Sequence, residues 1–202
     1  MKKLFTLFLL SVFALTLVAC TKPVQLTAPE ITLEETVVKW EENENATGYI
    51  VKVNDEEFET TSTSYDLKEF RVSQFAISVI AVGDGKDFVD SDPSNTINVT
   101  STNKVELVKE TSIYKVKVQS NADVLGFVLV FNYDEETELT EEVVKWTNLL
   151  PSSWIFDVNI VDNEIKIAVT GLEPINVRLM QTLINLNTST TVTLKDFTID
   201  NA

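Results

Sequence analysis

The sequence predicts an all-β protein built from two β-sandwich domains. Short runs rich in valine, isoleucine and aromatic residues recur along it, several with apolar residues at every second position, the period of a half-buried strand. Turn-forming residues separate these runs about every 8–12 residues, the spacing of antiparallel sandwiches. The length of 202 residues fits one large domain or two small ones. A polar stretch, Ser101-Thr-Asn-Lys104, falls near the middle and marks the join. Hydrophobic residues make up 44% and charged residues 23%, values that permit a buried core and exclude wholesale disorder.

The chain opens with Lys2 and Lys3, then an apolar run from Leu4 to Val18 interrupted only by Thr6, Ser11 and Thr16. That run is shorter than the roughly 20 residues that span a bilayer and fits the apolar centre of a secretory signal. It closes on Leu17-Val18-Ala19-Cys20, which resembles the lipobox of bacterial lipoproteins. The resemblance implies a signal peptide over residues 1–19, cleavage before Cys20, and lipidation of Cys20 by diacylglycerol and a further acyl chain such as palmitate. The mature protein is then expected on the extracytoplasmic face of the cell membrane. Two or three chains, at about 0.8 kcal/mol per buried CH₂, hold essentially permanently. Thr21 follows the cysteine, so the aspartate that signals inner-membrane retention is absent. Residues 20–26, with Pro23, read as a polar tether.

From residue 27 the strand pattern begins. Thr36–Trp40 is β-branched and aromatic, Gly48–Val53 alternates in part, and Phe58–Thr61 continues it. Phe75, Ile77, Val79 and Ala81 share one face, and Thr96–Thr100 closes the set. Pro29, Trp40, Ala46-Thr-Gly-Tyr49, Thr63–Leu67, Phe75–Ala81, Gly83-Asp-Gly85 and Asp90–Ser94 together resemble a fibronectin type III domain over residues 27–100. The resemblance implies an immunoglobulin-like sandwich with Trp40 and Tyr49 packed between the sheets. Phe75 stands where that family usually has tyrosine, so the hydroxyl bond to backbone is lost. No Arg-Gly-Asp occurs, and the domain reads as a spacer.

In the second half, Val105–Val108 and Tyr114–Val118 read as strands, the latter alternating lysine with apolar residues. Gly126–Tyr133 is apolar at both phases and should be a central strand covered on both faces. Thr140 is placed to cap a short helix with Glu141 and Glu142 in its first turn; Val143, Val144, Thr147 and Leu150 give it an apolar stripe, and Pro151 ends it. Trp154, Phe156, Val158 and Ile160 alternate with Ile155, Asp157 and Asn159. Asp162-Asn163 should turn this strand into Glu164–Val169, and Met180–Leu186 and Thr191–Ile199 finish the chain. Val116-x-Val118, Val124-Leu-Gly-Phe127 leading to Tyr133-Asp134, and the later runs in this order resemble the cohesin domain and related carbohydrate-binding sandwiches. The resemblance spans residues 104–202 and implies a jelly-roll sandwich with one short helix. Cohesins hold dockerin modules on a sheet face, and their relatives hold polysaccharide on exposed aromatic strips.

Composition narrows the chemistry. The chain has no histidine and one cysteine, Cys20, which removes His-dependent triads, His-bearing zinc sites and disulfides. A net charge of −15 argues against nucleic acid as a partner. Removing Lys2 and Lys3 with the leader leaves 14 basic against 31 acidic side chains, or −17, on the mature chain. Asp134-Glu-Glu136 and Glu141-Glu142 are the carboxylates that could serve as a glycosidase pair, but neighbours in sequence are usually solvated charge. Glu41–Asn45, Asp55–Glu57 and Asp84–Asp87 could offer oxygen ligands to calcium, yet none has EF-hand spacing. The expectation is therefore no enzyme, no metal and no cofactor. Trp146 and Trp154 are the candidate ligand-binding residues, as platforms on which a sugar ring stacks; Trp154 also shares the apolar strand phase. The expected function is a lipid-anchored binding protein whose distal domain holds a dockerin-like protein module or a polysaccharide. The alternative is an accessory subunit of an envelope complex with no ligand of its own.

Overall fold

The computed structural model describes residues 22–134 and 137–202; the leader with Cys20 and the pair Glu135-Glu136 lie outside the described residues. The first half contains β1 (Val24–Gln25), β2 (Thr32–Glu34), β3 (Val37–Lys39), β4 (Gly48–Val53), β5 (Glu56–Thr60), β6 (Ser64–Asp66), β7 (Gln74–Val82), β8 (Phe88–Val89) and β9 (Ile97–Thr100). Its sheets run β2-β3-β6 and β5-β4-β7-β9, and β1 lies parallel to β8. The period-two pattern sets the register of β4 against β7: buried Tyr49, Val51 and Val53 stand opposite buried Ala81, Val79 and Ile77. Burying one phase of each strand is what makes a one-residue slip unfavourable. Val38, Leu67 and Phe75 complete the core. Trp40 meets Tyr49 edge to face at 5.3 Å, both buried as the family resemblance implies.

Polar side chains finish what the ladders leave open. Asn54, at φ 55°, occupies the left-handed position of the β4–β5 turn, where asparagine is tolerated. Its Nδ2 donates to the Gln74 carbonyl and its Oδ1 accepts from the Ala76 N–H. Beyond β9, the edge of β7 is met by the Asp90–Ser94 segment, whose Pro93 cannot donate to a ladder. Ser91 Oγ and Ser94 Oγ instead accept from the Ala81 and Val79 N–H groups, each at 2.9 Å. The tether expected over residues 20–26 is shorter than its composition implies. Val24 and Gln25 pair with Phe88 and Val89, and Leu26 is buried. A two-residue strand is too short to show a period.

The second half contains β10 (Lys104–Glu110), β11 (Ile113–Gln119), β12 (Val124–Tyr133), β13 (Val144–Trp146), β14 (Ile155–Val161), β15 (Glu164–Ile175), β16 (Gln181–Asn187) and β17 (Val192–Asn201). The sheets are β10-β11-β16-β13 and β14-β15-β12-β17. One core lies between them, with Tyr114, Val116, Ile184 and Leu186 from the first sheet against Phe127, Leu129, Phe131, Ile165 and Ile167 from the second. Asp162 and Asn163 form the β14–β15 turn as expected, at φ 52° and 61°.

The all-β, two-sandwich class therefore stands, with two corrections. The expected helix after Thr140 is absent: a single 3₁₀ turn, Glu141–Val143, leads straight into β13. Thr140 makes no side-chain cap bond. Val144 and Trp146 suit a strand, and β16 offers them ladder partners in Leu186 and Ile184. An isolated helix of about ten residues is marginal without such help. The second correction concerns β12. It is central, between β15 and β17, but Val128 is 44% exposed because no element covers the outer face of that sheet among the described residues.

Candidate functional site

The uncovered face of the β14-β15-β12-β17 sheet is the candidate site. Cross-strand register places Ile155, Thr170, Gly126 and Asp200 in one row and Asp157, Ala168, Val128 and Thr198 in the next. A shallow hollow of about 270 Å³ lies over these two rows. It exists because the middle columns carry Gly126 and Ala168, which raise almost no side chain between Ile155 and Val128. Gly126 has no alternative, since a Cβ there would stand 2.7 Å from the Val169 carbonyl oxygen, beside the register shift in β12.

The apolar part of this face is open to water: Ile155 is 70% exposed and Val161, on the same strand, 53%. Asp157, Asp196 and Asp200 edge it, and none makes an ion pair among the described residues. At its far end Glu164 accepts from Lys195 and lies 3.2 Å from Lys166. These contacts, the Lys195 bond first, hold the Glu164 carboxyl below the usual carboxylate range. The result is a flat surface with an apolar centre and an acidic edge. It can seat an apolar side chain flanked by positive charge.

Neither predicted tryptophan belongs to this face. Trp154 is 3% exposed, at the edge of the core beside Phe127. Its Nε1 donates to the Glu173 carbonyl at 2.9 Å, so it cannot serve as a sugar platform. Trp146 lies on β13 rather than a helix. It is half-buried, with its ring 4.4 Å from Phe156, and closes the gap where the two sheets meet. Cys20 lies outside the described residues.

Glu141 and Glu142 are exposed on the 3₁₀ turn, and Asp134 is exposed at the end of β12. Among the described residues no group of three or more Asp, Glu, Cys or His side chains converges on one point. Asp84 Oδ1 is engaged by the N–H groups of Lys86, Asp87 and Phe88, which pull its carboxyl down and make the segment a closed turn. Glu34 is lowered as well, by Lys39. Lowering is the direction opposite to that required of a general acid at neutral pH.

Sequence reasoning missed Val128 and Ile155, and one signal did point to Ile155. It shares the polar phase of β14 with Asp157 and Asn159, so the alternation itself places it outward.

The fold is that of an all-β protein with two sandwiches in series. No protein-family model matches the chain, and no curated protein matches it. Among solved structures, it is similar to chitinase ChiA74 from Bacillus thuringiensis at 17% identity and a TM-score of 0.28, over 89% of this chain. The chain spans 29% of that chitinase. It is also similar to the type II cohesin dyad from the adaptor ScaA scaffoldin of Acetivibrio cellulolyticus, at 10% identity and a TM-score of 0.33, over 89% of this chain and 91% of that one. Both superpositions are loose.

Proposed function

We propose that this protein is a lipid-anchored, extracytoplasmic binding protein without catalytic activity. Its second sandwich holds a protein module on the outer face of the β14-β15-β12-β17 sheet, and its first sandwich separates that face from the membrane. The observation that carries the binding role is the open apolar centre of this face, Ile155 and Val128 around the Gly126–Ala168 hollow. An exposed apolar patch rimmed by polar residues is the usual mark of a protein contact. A polysaccharide would instead want aromatic rings facing water, and Trp154 and Trp146 are both engaged in packing. The protein module is therefore the better occupant of the two that the cohesin resemblance implies.

The test uses residues 22–202 as a soluble chain. Affinity capture from the native envelope identifies a partner, and titration calorimetry with that purified partner then compares the parent chain with Ile155→Asp. A change at an exposed site should leave stability within about 0.5 kcal/mol. We expect affinity to fall at least about tenfold, equivalent to about 1.4 kcal/mol. Equal affinity in Ile155→Asp and Val128→Asp would remove this face from the proposal. A hit on a glycan array with no protein captured would replace the protein module by a polysaccharide.

A further inference from the structure

The loop between β15 and β16 is stitched into both cores. Val177 is 1% exposed in the core of the second half, and Leu179, two residues on, is 2% exposed within the core of the first. The backbone between them is fastened on its own side: the Ser120 N–H donates to the Val177 carbonyl at 3.0 Å, and Gln119 Nε2 donates to the Arg178 carbonyl at 3.0 Å. Other bonds cross between the halves. Asn176 Nδ2 donates to the Lys68 and Phe70 carbonyls, both at 2.7 Å. Asp123 receives Arg178 at 2.8 Å on one oxygen and Arg71 on the other. Glu35, in the turn between β2 and β3, accepts from Thr182 Oγ1 at 2.6 Å.

The join itself has no slack. Ser101, which composition reads as part of a polar linker, is 4% exposed. Its N–H donates to the Ser73 carbonyl at 2.8 Å, and its Oγ donates to the Arg178 carbonyl at 2.5 Å. Domains in one chain move relative to each other by default unless apolar contacts hold them. Swinging these two apart would draw Leu179 out of an apolar core and break the Asn176 bonds to the Lys68 and Phe70 carbonyls, the second of them partly buried, and both are unfavourable. The exposed Arg71 pair adds direction more than strength.

We infer that the two sandwiches move as one rigid body, latched by residues 176–180, so that the outer face of the second is held at a fixed orientation to the first. This is independent of what that face binds. The described chain lacks the one cysteine of the sequence, so nitroxide labels can be placed on residues 22–202 at Glu59→Cys and Asn159→Cys, both on exposed strand positions of different halves. Double electron–electron resonance should give a single narrow distance distribution. Leu179→Asp should broaden it several-fold while the far-ultraviolet dichroism of the strands persists. A broad distribution in the parent chain, or a narrow one that survives Leu179→Asp, overturns the inference. Should Leu179→Asp lose the strand signal, the pair Leu179→Ala with Asn176→Ala takes its place and is read the same way.

Discussion

Gly171 owes its identity to a neighbour rather than to its own backbone. A Cβ there would fall 2.2 Å from Cδ1 and Nε1 of Trp154, so the indole lies flush against the strand and its N–H reaches the Glu173 carbonyl. Gly171→Ala must displace that ring, and overpacking of this kind costs about 1–3 kcal/mol. The expected outcome is a lower unfolding midpoint in urea with a red shift of tryptophan emission. Glu164 makes a second prediction at this scale. Its carboxyl is held below the ordinary value of 4.5 by Lys195 and then Lys166. A group lowered in the folded state contributes stability that is present above the unfolded value and lost as pH falls through the folded one. Melting temperature should therefore decline below about pH 4.5, and Glu164→Gln should flatten that acid limb. An unchanged limb would mean that other carboxylates carry it.

Among the elements, the β14–β15 turn was legible and β13 was not. Asp162-Asn163 lies between two alternating runs, and its two left-handed residues match the twist of a two-residue hairpin. Asn163→Val places a β-branched side chain at φ 61°, which should cost about 1–3 kcal/mol; thermal unfolding measures it. Thr140–Leu150 misled because Thr140 suits an N-cap and Glu141 and Glu142 suit the first turn of a helix. What overrode them is β16, which presents Leu186 and Ile184 to Val144 and Trp146. That partner lies some forty residues away, beyond any local pattern. The same limit applies to Gly126–Tyr133: alternation shows that both phases are apolar, but not that one phase is left without a covering layer. The exposed Val128 and the hollow beside it follow from that missing layer, and with them the candidate site.

For the whole molecule, the proposed anchorage, the charge and the inferred rigidity combine into one arrangement. The lipobox resemblance sets the expected attachment at Cys20, and the mature chain that it implies would carry a side-chain balance of −17, which anionic headgroups repel. Lipid would hold such a body while its charge keeps it off the surface. Radioactive palmitate should label the full-length protein and not Cys20→Ser; a labelled Cys20→Ser, or an unlabelled and freely secreted parent, would remove the anchor. By itself the sequence determined the β class and the inward phase of β7 and β14, and the fibronectin type III resemblance implied the burial of Trp40 and Tyr49. The class and the phases follow from period-two burial and turn chemistry, which act over a few residues. Only the tertiary structure decided that Trp146 lies on a strand, that Val128 is left uncovered beside Ile155, and that Val177 and Leu179 join two cores. Each of those depends on which distant surface a side chain meets, and a local pattern carries no information about that.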